Sequence, residues 1–358
     1  MQQTVFTKAV HPAVQVVLTQ SNWTFGSRRL INRRTQPSVM PTLLITGGAG
    51  FIGGHTARMA IDFGWDVRIL DDLSTGLEST VKDLQAMGAE FHQGDVRDPG
   101  VVLAAAFGCD AVVHFAAQVS VPRSVEQPEE TMAVNVGGTE NVILACRQNS
   151  IKRFVMASSA AVYGTNDEFP LDEADAGTFH SPYAESKWKN ESQVRDAQID
   201  GMEAVALRFF NVYGSGQRAD GAYAAVIPKF IERALAGQAP TLFGDGQQTR
   251  DFIHVLDVAK AVLHLATEPW KKELRPVYNV CTQTEISLIR LISEIHLILK
   301  DIAPTIPRCA PNHGPERAGD IARSIGSNAQ LVLDTNWTPG IEFSEGLRQQ
   351  ILATIQDV

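Results

Sequence analysis

Short apolar runs alternate with stretches of helical periodicity from residue 42 to about residue 207. The first pattern is typical of buried strands and the second of amphipathic helices. The predicted strands are residues 42–46, 67–70, 90–92, 111–114, 153–157 and 204–207, and the helices between them include 131–148 and 182–199. Strands that alternate with helices predict an α/β fold with a Rossmann-type, doubly wound parallel sheet.

The pattern changes after residue 210, where Gly and Pro become frequent and the elements become shorter. One clear helical pattern remains, at residues 224–236. We therefore predict two folded parts: a sheet domain at residues 40–210, and a smaller C-terminal α/β domain at residues 211–358 whose segments cross back to the sheet.

Residues 1–39 differ in composition from the rest of the chain. They contain five basic residues and neither Asp nor Glu. An acid-poor, Arg-bearing segment with Ser and Thr is typical of an organelle transit peptide. The alternative, which we favour, is that translation begins at Met40, just before the first predicted strand. Under either interpretation, this N-terminal extension is expected to be disordered and to take no part in the chemistry.

The overall composition excludes several classes of function. The chain has 358 residues and a net charge of −9, so nothing indicates a nucleic-acid partner. Its four cysteines lie far apart without the short spacings of zinc ligands, so we predict no metal site and no disulfide framework. Reduced thiols favour a cytoplasmic protein. No apolar run approaches the ~18 residues of a membrane span, so no membrane partner is predicted.

A glycine-rich turn follows the first predicted strand. It contains Gly47, Gly50 and Gly53, and a helical pattern begins at about Phe51. Glycines permit a tight turn and a close approach of the backbone to a pyrophosphate, while the free N–H groups of the helix N-terminus face the anion. Asp71 ends the next apolar run, where its carboxylate can bind both ribose hydroxyls and would repel a 2′-phosphate. This pattern predicts NAD rather than NADP as the cofactor.

Candidate catalytic groups lie in two later motifs. Tyr183 and Lys187 are four residues apart in a helical pattern that begins at Pro182, so their side chains share one face. A lysine ammonium beside a tyrosine hydroxyl lowers the tyrosine pKa, and the positive nicotinamide ring would lower it further. Ser159, just after a predicted strand, can share the substrate hydroxyl with Tyr183 and stabilise the developing carbonyl oxygen. Tyr183 is therefore predicted to act as a base near neutral pH.

With these motifs, the chain resembles the extended short-chain dehydrogenase/reductase family and, within it, the nucleotide-sugar 4-epimerases. The resemblance covers roughly residues 42–340. The matching motifs, in the family's order, are residues 47–53, 71–76, 94–96, 114–117, 135–139, 158–164, 183–187, 208–214, 244–254 and 317–320. This resemblance implies an isomerase that inverts C4 of a UDP-hexose through a transient 4-keto sugar, with NAD as a bound cofactor.

The resemblance also implies roles for individual residues. Ser159, Tyr183 and Lys187 would be catalytic. NAD would contact Gly47, Gly50, Phe51, Ile52, Gly53, Asp71, Asp95, Val96, Ala116, Ala117, Tyr183 and Lys187. The UDP-sugar would contact Ser120, Ser159, Asn211, Val226, Thr241, Phe243, Arg250, Arg317, Asp320 and Ser324. The two arginines would hold the diphosphate, because guanidinium forks match phosphate oxygens. Similar enzymes form homodimers through two helices, here 131–148 and 182–199.

Ser324 bears on the choice of sugar. In similar epimerases a bulky Tyr at this position excludes N-acetyl groups, whereas Ser324 leaves room for a 2-acetamido group. We therefore favour interconversion of UDP-GlcNAc and UDP-GalNAc, with UDP-glucose and UDP-galactose as a further pair. A UDP-glucuronate 4-epimerase or decarboxylase is an alternative. An NAD-dependent dehydratase or reductase is another, although Ala160 and Ala161 stand where dehydratases carry Asp and Glu. A non-enzymatic NAD-binding scaffold is the third.

Overall fold

The computed structural model describes residues 40–219, 225–270, 273–316 and 321–356. The predicted N-terminal extension, at residues 1–39, therefore lies outside the described residues. So do two of the predicted substrate contacts, Arg317 and Asp320.

The strands of the described chain include those predicted from the first half of the sequence. They are β1 (Thr42–Thr46), β2 (Asp66–Asp71), β3 (Glu90–Gln93), β4 (Ala111–His114), β5 (Arg153–Ser159), β6 (Glu203–Phe209), β7 (Asn211–Tyr213), β8 (Thr241–Phe243), β9 (Thr249–His254), β10 (Val277–Val280), β11 (Glu285–Ser287) and β12 (Asn312–Gly314). The six predicted strands are all present, and their ends agree with β1 to β6 within two residues.

Seven of these strands form a parallel sheet in the order β10-β6-β5-β4-β1-β2-β3. The predicted α/β fold with a doubly wound parallel sheet is therefore confirmed. The strand order reverses between β1 and β4, where Thr46 lies opposite His114. In sheets of this kind, ligands bind outside the carboxyl ends of the strands at the reversal.

Both faces of this sheet are covered, which explains why its central strands β1 and β4 are largely apolar, buried runs. Side chains alternate along a strand. In β1, Leu43 and Ile45 join one core cluster, while Leu44 joins the cluster on the other side. All three side chains are fully buried.

The helices lie between the strands and after them. They are α1 (Phe51–Asp62), α2 (Glu78–Ala86), α3 (Pro99–Ala106), α4 (Val121–Glu126), α5 (Pro128–Met132), α6 (Gly138–Gln148), α7 (Pro182–Ile199), α8 (Val226–Leu235), α9 (Val255–Thr267), α10 (Leu288–Ile302), α11 (Ala329–Thr335) and α12 (Phe343–Gln356). The helix predicted at residues 182–199 is α7. None of the helices in the described residues is long and apolar enough to cross a membrane.

The helix predicted at residues 131–148 differs from the structure. A π-helical turn, Ala133–Gly137, separates α5 from α6. The carbonyl oxygen of Asn135, inside this turn, accepts hydrogen bonds from two side chains: the hydroxyl of Thr139 at 2.6 Å and the amide of Asn190 at 2.8 Å. Such side-chain bonds support a local widening of the helix that hydrophobic periodicity does not reveal.

The C-terminal part of the chain forms smaller sheets and completes the large one. Strands β11, β9 and β7 form one small sheet, and β12 pairs with β8 in another. A core cluster that includes Ile227, Ile292 and Ile351 joins α8, α10 and α12. Strand β10 comes from this part of the chain, yet it pairs with β6 at the edge of the large sheet.

Candidate active site

The glycine-rich turn packs against neighbouring backbone so closely that side chains would not fit. Gly47 has a φ of +71°, and a Cβ built on it would lie 2.6 Å from the backbone nitrogen of Ala116. A Cβ on Gly53, in the first turn of α1, would lie 2.1 Å from the carbonyl oxygen of Gly47. Gly50 is the N-cap of α1 and has no capping side chain. The N–H groups at this helix end are suited to a pyrophosphate.

Asp71 lies at the carboxyl end of β2, buried beside the turn. One of its carboxylate oxygens accepts a hydrogen bond from the backbone of Ala49 at 3.0 Å, and the other from Leu73 at 2.9 Å. Burial raises the pKa of Asp71, and these two backbone donors oppose the rise. Each oxygen keeps acceptor capacity for a ribose hydroxyl. The turn and Asp71 together fit an NAD molecule.

The other predicted cofactor residues follow neighbouring strands. Ala116 donates its backbone N–H to the hydroxyl of Thr46 at 3.3 Å, which joins the ends of β4 and β1. Asp95, after β3, pairs with Arg97, and this hydrogen bonding lowers the pKa of Asp95. Val96 is buried, and a Cβ on Gly138 would lie 2.7 Å from its side chain.

The predicted catalytic residues lie where the end of β5 meets the start of α7. Ser181 caps α7 by accepting a hydrogen bond from the backbone of Ala184 at 3.2 Å. The phenol of Tyr183 lies near Ser159, the last residue of β5, and Ser159 acts to lower the pKa of Tyr183. Lys187 is buried, and its ammonium donates to the carbonyl oxygen of Ala157 at 2.9 Å. The structure therefore brings Ser159, Tyr183 and Lys187 together.

The electrostatics of this group differ from the sequence-based expectation. Lys187 was expected to lower the pKa of Tyr183. Instead, burial raises the pKa of the Tyr183 phenol, and Ser159 only partly opposes the rise. Burial also lowers the pKa of Lys187 to about 8, against the attraction of Glu191. Desolvation therefore favours the protonated form of Tyr183 in the protein without cofactor.

A cavity of about 500 Å³ lies beside β7 and α8. Five of the predicted substrate residues line it: Asn211, Val226, Thr241, Phe243 and Arg250. Lys229 and Arg233 also line it, and the sequence analysis did not assign them to the site. Their spacing of four residues on an amphipathic helix is the signal that could have found them. Among the described residues that line the cavity there is no Asp or Glu, so it is suited to an anion.

Two further predicted residues, Ser120 and Ser324, do not line the cavity. Ser120 caps α4, where its hydroxyl accepts a hydrogen bond from the backbone of Arg123 at 3.3 Å. Ser324 is 8 % exposed and is not among the residues that line the cavity. The guanidinium of Arg250 donates to the carbonyl oxygen of Ile321 at 2.6 Å, so Arg250 also holds the segment that leads to Ser324.

A buried ion pair that no sequence motif indicated lies behind Ser159, Tyr183 and Lys187. Glu191 on α7 and Arg208 on β6 are both fully buried, 2.8 Å apart. In the sequence, the feature that could have indicated this pair is the position of Glu191, four residues after Lys187 on the same helix face. The described residues contain no group of three or more side chains that could hold a metal ion.

A doubly wound sheet with a glycine-rich turn, an acid after β2 and a Ser, Tyr and Lys group defines a nucleotide-dependent dehydrogenase-like enzyme. The sequence profile of the NAD dependent epimerase/dehydratase family matches residues 43–281, and the chain belongs to this family. NAD is the cofactor of the family, as the sequence predicts, and the prediction of an enzyme of this family is confirmed.

Individual relatives agree with this assignment. The chain is 36% identical over 312 residues to a putative UDP-glucose 4-epimerase of Methanocaldococcus jannaschii. The matched region covers 86% of this chain and 97% of that protein. It is similar to the structure of the UDP-N-acetylglucosamine 4-epimerase from Methanobrevibacter ruminantium M1 in complex with UDP-N-acetylmuramic acid, with a TM-score of 0.82, 34% identity and coverage of 89% and 99%. The UDP-glucose 4-epimerase of Thermus thermophilus in complex with NAD gives a TM-score of 0.77, 33% identity and coverage of 88% and 100%.

Gly53→Ala tests the fit of the turn. The added methyl group would lie against the carbonyl of Gly47, so α1 must move away from the turn. We expect a loss of about 1–3 kcal/mol in the free energy of unfolding and a lower NAD content of the purified protein. Gly137→Ala is the control, because its Cβ would meet nothing within 4 Å. Thermal melting and NAD release on denaturation measure both effects. Full NAD content in Gly53→Ala would contradict the fit.

Lys187→Met tests the cost of the buried ammonium. A pKa lowered from 10.5 to about 8 corresponds to roughly 3 kcal/mol. The variant also loses the hydrogen bond to Ala157, and this loss reduces the gain in stability by about 1 kcal/mol. Below pH 8 we therefore expect the free energy of unfolding of Lys187→Met to exceed that of the wild type by about 2 kcal/mol. The variant should be inactive. The gain should shrink as pH rises from 8 to 10.5, because the unfolded wild-type chain then holds more protons than the folded one.

The control for this substitution is Lys189→Met on the same helix. Lys189 is exposed and pairs with Glu185 at 2.8 Å, so its removal should change the unfolding free energy by less than about 0.5 kcal/mol. Denaturant titrations between pH 7 and 10 provide the measurement. A destabilised Lys187→Met protein at pH 7 would contradict the cost that we assign to burial.

Proposed function

We propose that the chain catalyses the NAD-dependent 4-epimerisation of a UDP-hexose, with UDP-GlcNAc and UDP-GalNAc as the favoured pair and UDP-glucose and UDP-galactose as a second pair. One observation carries the proposal. Ser159, Tyr183 and Lys187 lie together at the carboxyl edge of the sheet, on which the glycine-rich turn also lies. A sugar hydroxyl placed there would face a proton acceptor and a hydride acceptor at once.

The protein's own residues supply the proton chemistry. Tyr183 accepts the proton of the sugar 4-hydroxyl, and Ser159 stabilises the carbonyl oxygen that forms at C4. Lys187, held by Ala157, stabilises the phenolate by its charge. When bound, NAD⁺ would accept the hydride from C4 and return it to the opposite face after the 4-keto sugar has turned. Tyr183 then gives its proton back, so the reaction needs no external reductant.

The cavity beside α8 supports a nucleotide diphosphate as the non-reacting part of the substrate. Arg250, Lys229 and Arg233 contribute positive charge, and Asn211 contributes an amide that can donate to phosphate oxygens. Thr241 and Phe243 lie on the same cavity wall and would flank the uracil. Binding energy from this remote half would hold the sugar at the catalytic residues.

The size of the residue at position 324 supports the N-acetyl pair. Ser324 is buried, so a larger side chain there would have to displace its neighbours or occupy adjacent space. The names of the relatives include both UDP-glucose and UDP-N-acetylglucosamine. They are therefore consistent with either pair, and the proposal for the N-acetyl pair rests on Ser324.

Two further predictions accompany this function. A homodimer would use residues 131–148, which run from α5 to the end of α6, and α7; Leu144 and Ile199 are exposed apolar residues of these segments. A cytoplasmic location would give the enzyme access to soluble nucleotide sugars. Sedimentation of the purified protein tests the dimer.

Conversion of five UDP-sugars tests the function directly. Purified protein without added NAD is offered UDP-GlcNAc, UDP-GalNAc, UDP-glucose, UDP-galactose and UDP-glucuronate, and chromatography resolves the products. We expect conversion within the N-acetyl pair, and none by Tyr183→Phe. Conversion of UDP-glucuronate alone would contradict the proposed substrate. A requirement for added NADH, or no conversion at all, would favour a reductase or a scaffold.

Ser324→Tyr tests the choice of sugar. The larger side chain should reduce conversion of UDP-GlcNAc by at least about tenfold, because a clash of one acetamido group is worth more than about 1.4 kcal/mol. Conversion of UDP-glucose by the same variant is the internal control and should remain within about twofold. Equal losses for both sugars, or no loss for either, would contradict a role for Ser324 in selection.

A further inference from the structure

Three consecutive residues at the end of β5 lie against three side chains on one face of α7. The carbonyl oxygen of Ala157 accepts from Lys187 at 2.9 Å. The hydroxyl of Ser158 donates to a carboxylate oxygen of Glu191 at 2.7 Å. Ser159 lies near the phenol of Tyr183 and acts to lower its pKa. Positions 183, 187 and 191 are spaced by four residues, so these contacts together determine how α7 lies along the strand.

The middle contact is the most strongly supported of the three. Glu191 is fully buried and accepts two hydrogen bonds of 2.8 Å from the guanidinium of Arg208, one on each oxygen. Arg208 is also fully buried, and it donates to the hydroxyl of Tyr163 at 2.9 Å and to the carbonyl of Glu173 at 2.8 Å. Bidentate charge-assisted hydrogen bonds of this kind have a well-defined geometry. The carboxylate therefore has one fixed orientation.

We propose that Glu191 is a positioning residue for the catalytic group: held by Arg208, its carboxylate binds Ser158 and thereby sets the register of α7 against the end of β5. In this register Tyr183 lies opposite Ser159, and Lys187 reaches Ala157. Glu191 lies one helical turn beyond Lys187, and its carboxylate bonds to Ser158 and Arg208. This inference rests on the proposed epimerase function for its kinetic readout.

The charge of Glu191 has a second effect, on Lys187. Burial lowers the pKa of Lys187, and Glu191 opposes this change. The other ionisable groups that face Lys187 are Tyr183 on α7 and His114 on β4, and burial lowers the pKa of His114 to about 3, so it stays neutral. The groups that face Glu191 are Arg208 on β6 and, at 3.5 Å, Arg195 on α7.

Ser158→Ala removes only the contact between the strand and Glu191, and it leaves the ion pair with Arg208 in place. We expect kcat to fall by roughly ten- to a hundredfold, because small displacements of reacting groups have effects of this size. KM for the UDP-sugar should stay within about twofold, since the nucleotide binds elsewhere. The melting temperature should fall by only a few degrees.

Ser192→Ala is the matched control. Ser192 lies next to Glu191 on α7, but its hydroxyl donates within the helix, to the carbonyl of Trp188 at 3.3 Å. This variant should keep the wild-type kcat. A folded Ser158→Ala enzyme with wild-type kcat would overturn the proposal.

Glu191→Gln adds a readout that a purely structural role would not change. Without the negative charge, the pKa of Lys187 should fall, so the alkaline limb of the kcat profile should move to lower pH by about one unit. Because Arg208 would then be buried without a counter-charge, we expect this variant to lose stability. The double variant Glu191→Leu with Arg208→Met replaces the pair by apolar groups and should fold. Wild-type kcat and an unshifted alkaline limb in this folded double variant would overturn the proposal.

A substrate-free measurement separates this proposal from the proposed function. The ultraviolet difference titration between each protein and its Tyr183→Phe derivative reports the ionisation of Tyr183. Ser158→Ala should raise the midpoint of this titration relative to the wild type, because a displaced Ser159 would no longer lower the pKa of Tyr183, while Ser192→Ala should not. If the wild-type chain converts no UDP-sugar but the midpoints shift in this way, the function fails and the positioning role stands. Unshifted midpoints would count against the positioning role itself.

Discussion

The alignment of α7 along β5 is the constraint on which the candidate active site depends. Three side chains of α7 meet three successive positions of β5. This alignment brings Tyr183, the predicted base, together with Lys187 and Ser159. The sheet provides the rest of the geometry. Because β1, β2, β4 and β5 are parallel strands of one sheet, their carboxyl ends share one edge, and the glycine-rich turn and Asp71 lie on it with Ser159.

The site retains charged groups at a cost in stability. Lys187, Glu191 and Arg208 are all nearly or fully buried, and desolvation opposes the charged form of each of them. Hydrogen bonds offset this cost: Lys187 has the carbonyl of Ala157, and the carboxylate of Glu191 has donors on both oxygens. Replacement of buried ion pairs by apolar residues of similar volume is often neutral or stabilising in proteins. The charges are therefore better explained by catalysis and by the fixed orientation they impose than by stability.

Much of the fold could be predicted from the sequence because the signals were local. Strands β1, β4 and β5 are largely apolar, buried runs, and Pro182 with Ser181 before it marks the start of α7. The glycine turn, Asp71, Ser159, Tyr183 and Lys187 belong to motifs whose order identified the family. Five of the predicted substrate residues line one cavity.

What the sequence did not reveal depends on contacts between distant positions. The π-helical turn at Ala133–Gly137 is supported by side chains that include Asn190 from another helix. The pairing of Glu191 with Arg208 joins a helix to a strand, and no periodicity connects them. The pKa of Tyr183 was misjudged because burial, which needs the whole fold, outweighs a neighbouring charge that the sequence makes visible.

The fate of the hydrogen at C4 tests the central claim most directly. The substrate is a UDP-sugar deuterated at C4, and the epimerised product is analysed by mass spectrometry and NMR. If the hydride leaves C4 and returns within the same closed site, the product retains the deuterium at C4 and turnover is slower than with the protonated substrate. Loss of the deuterium to solvent would contradict hydride transfer and would require inversion by proton exchange instead.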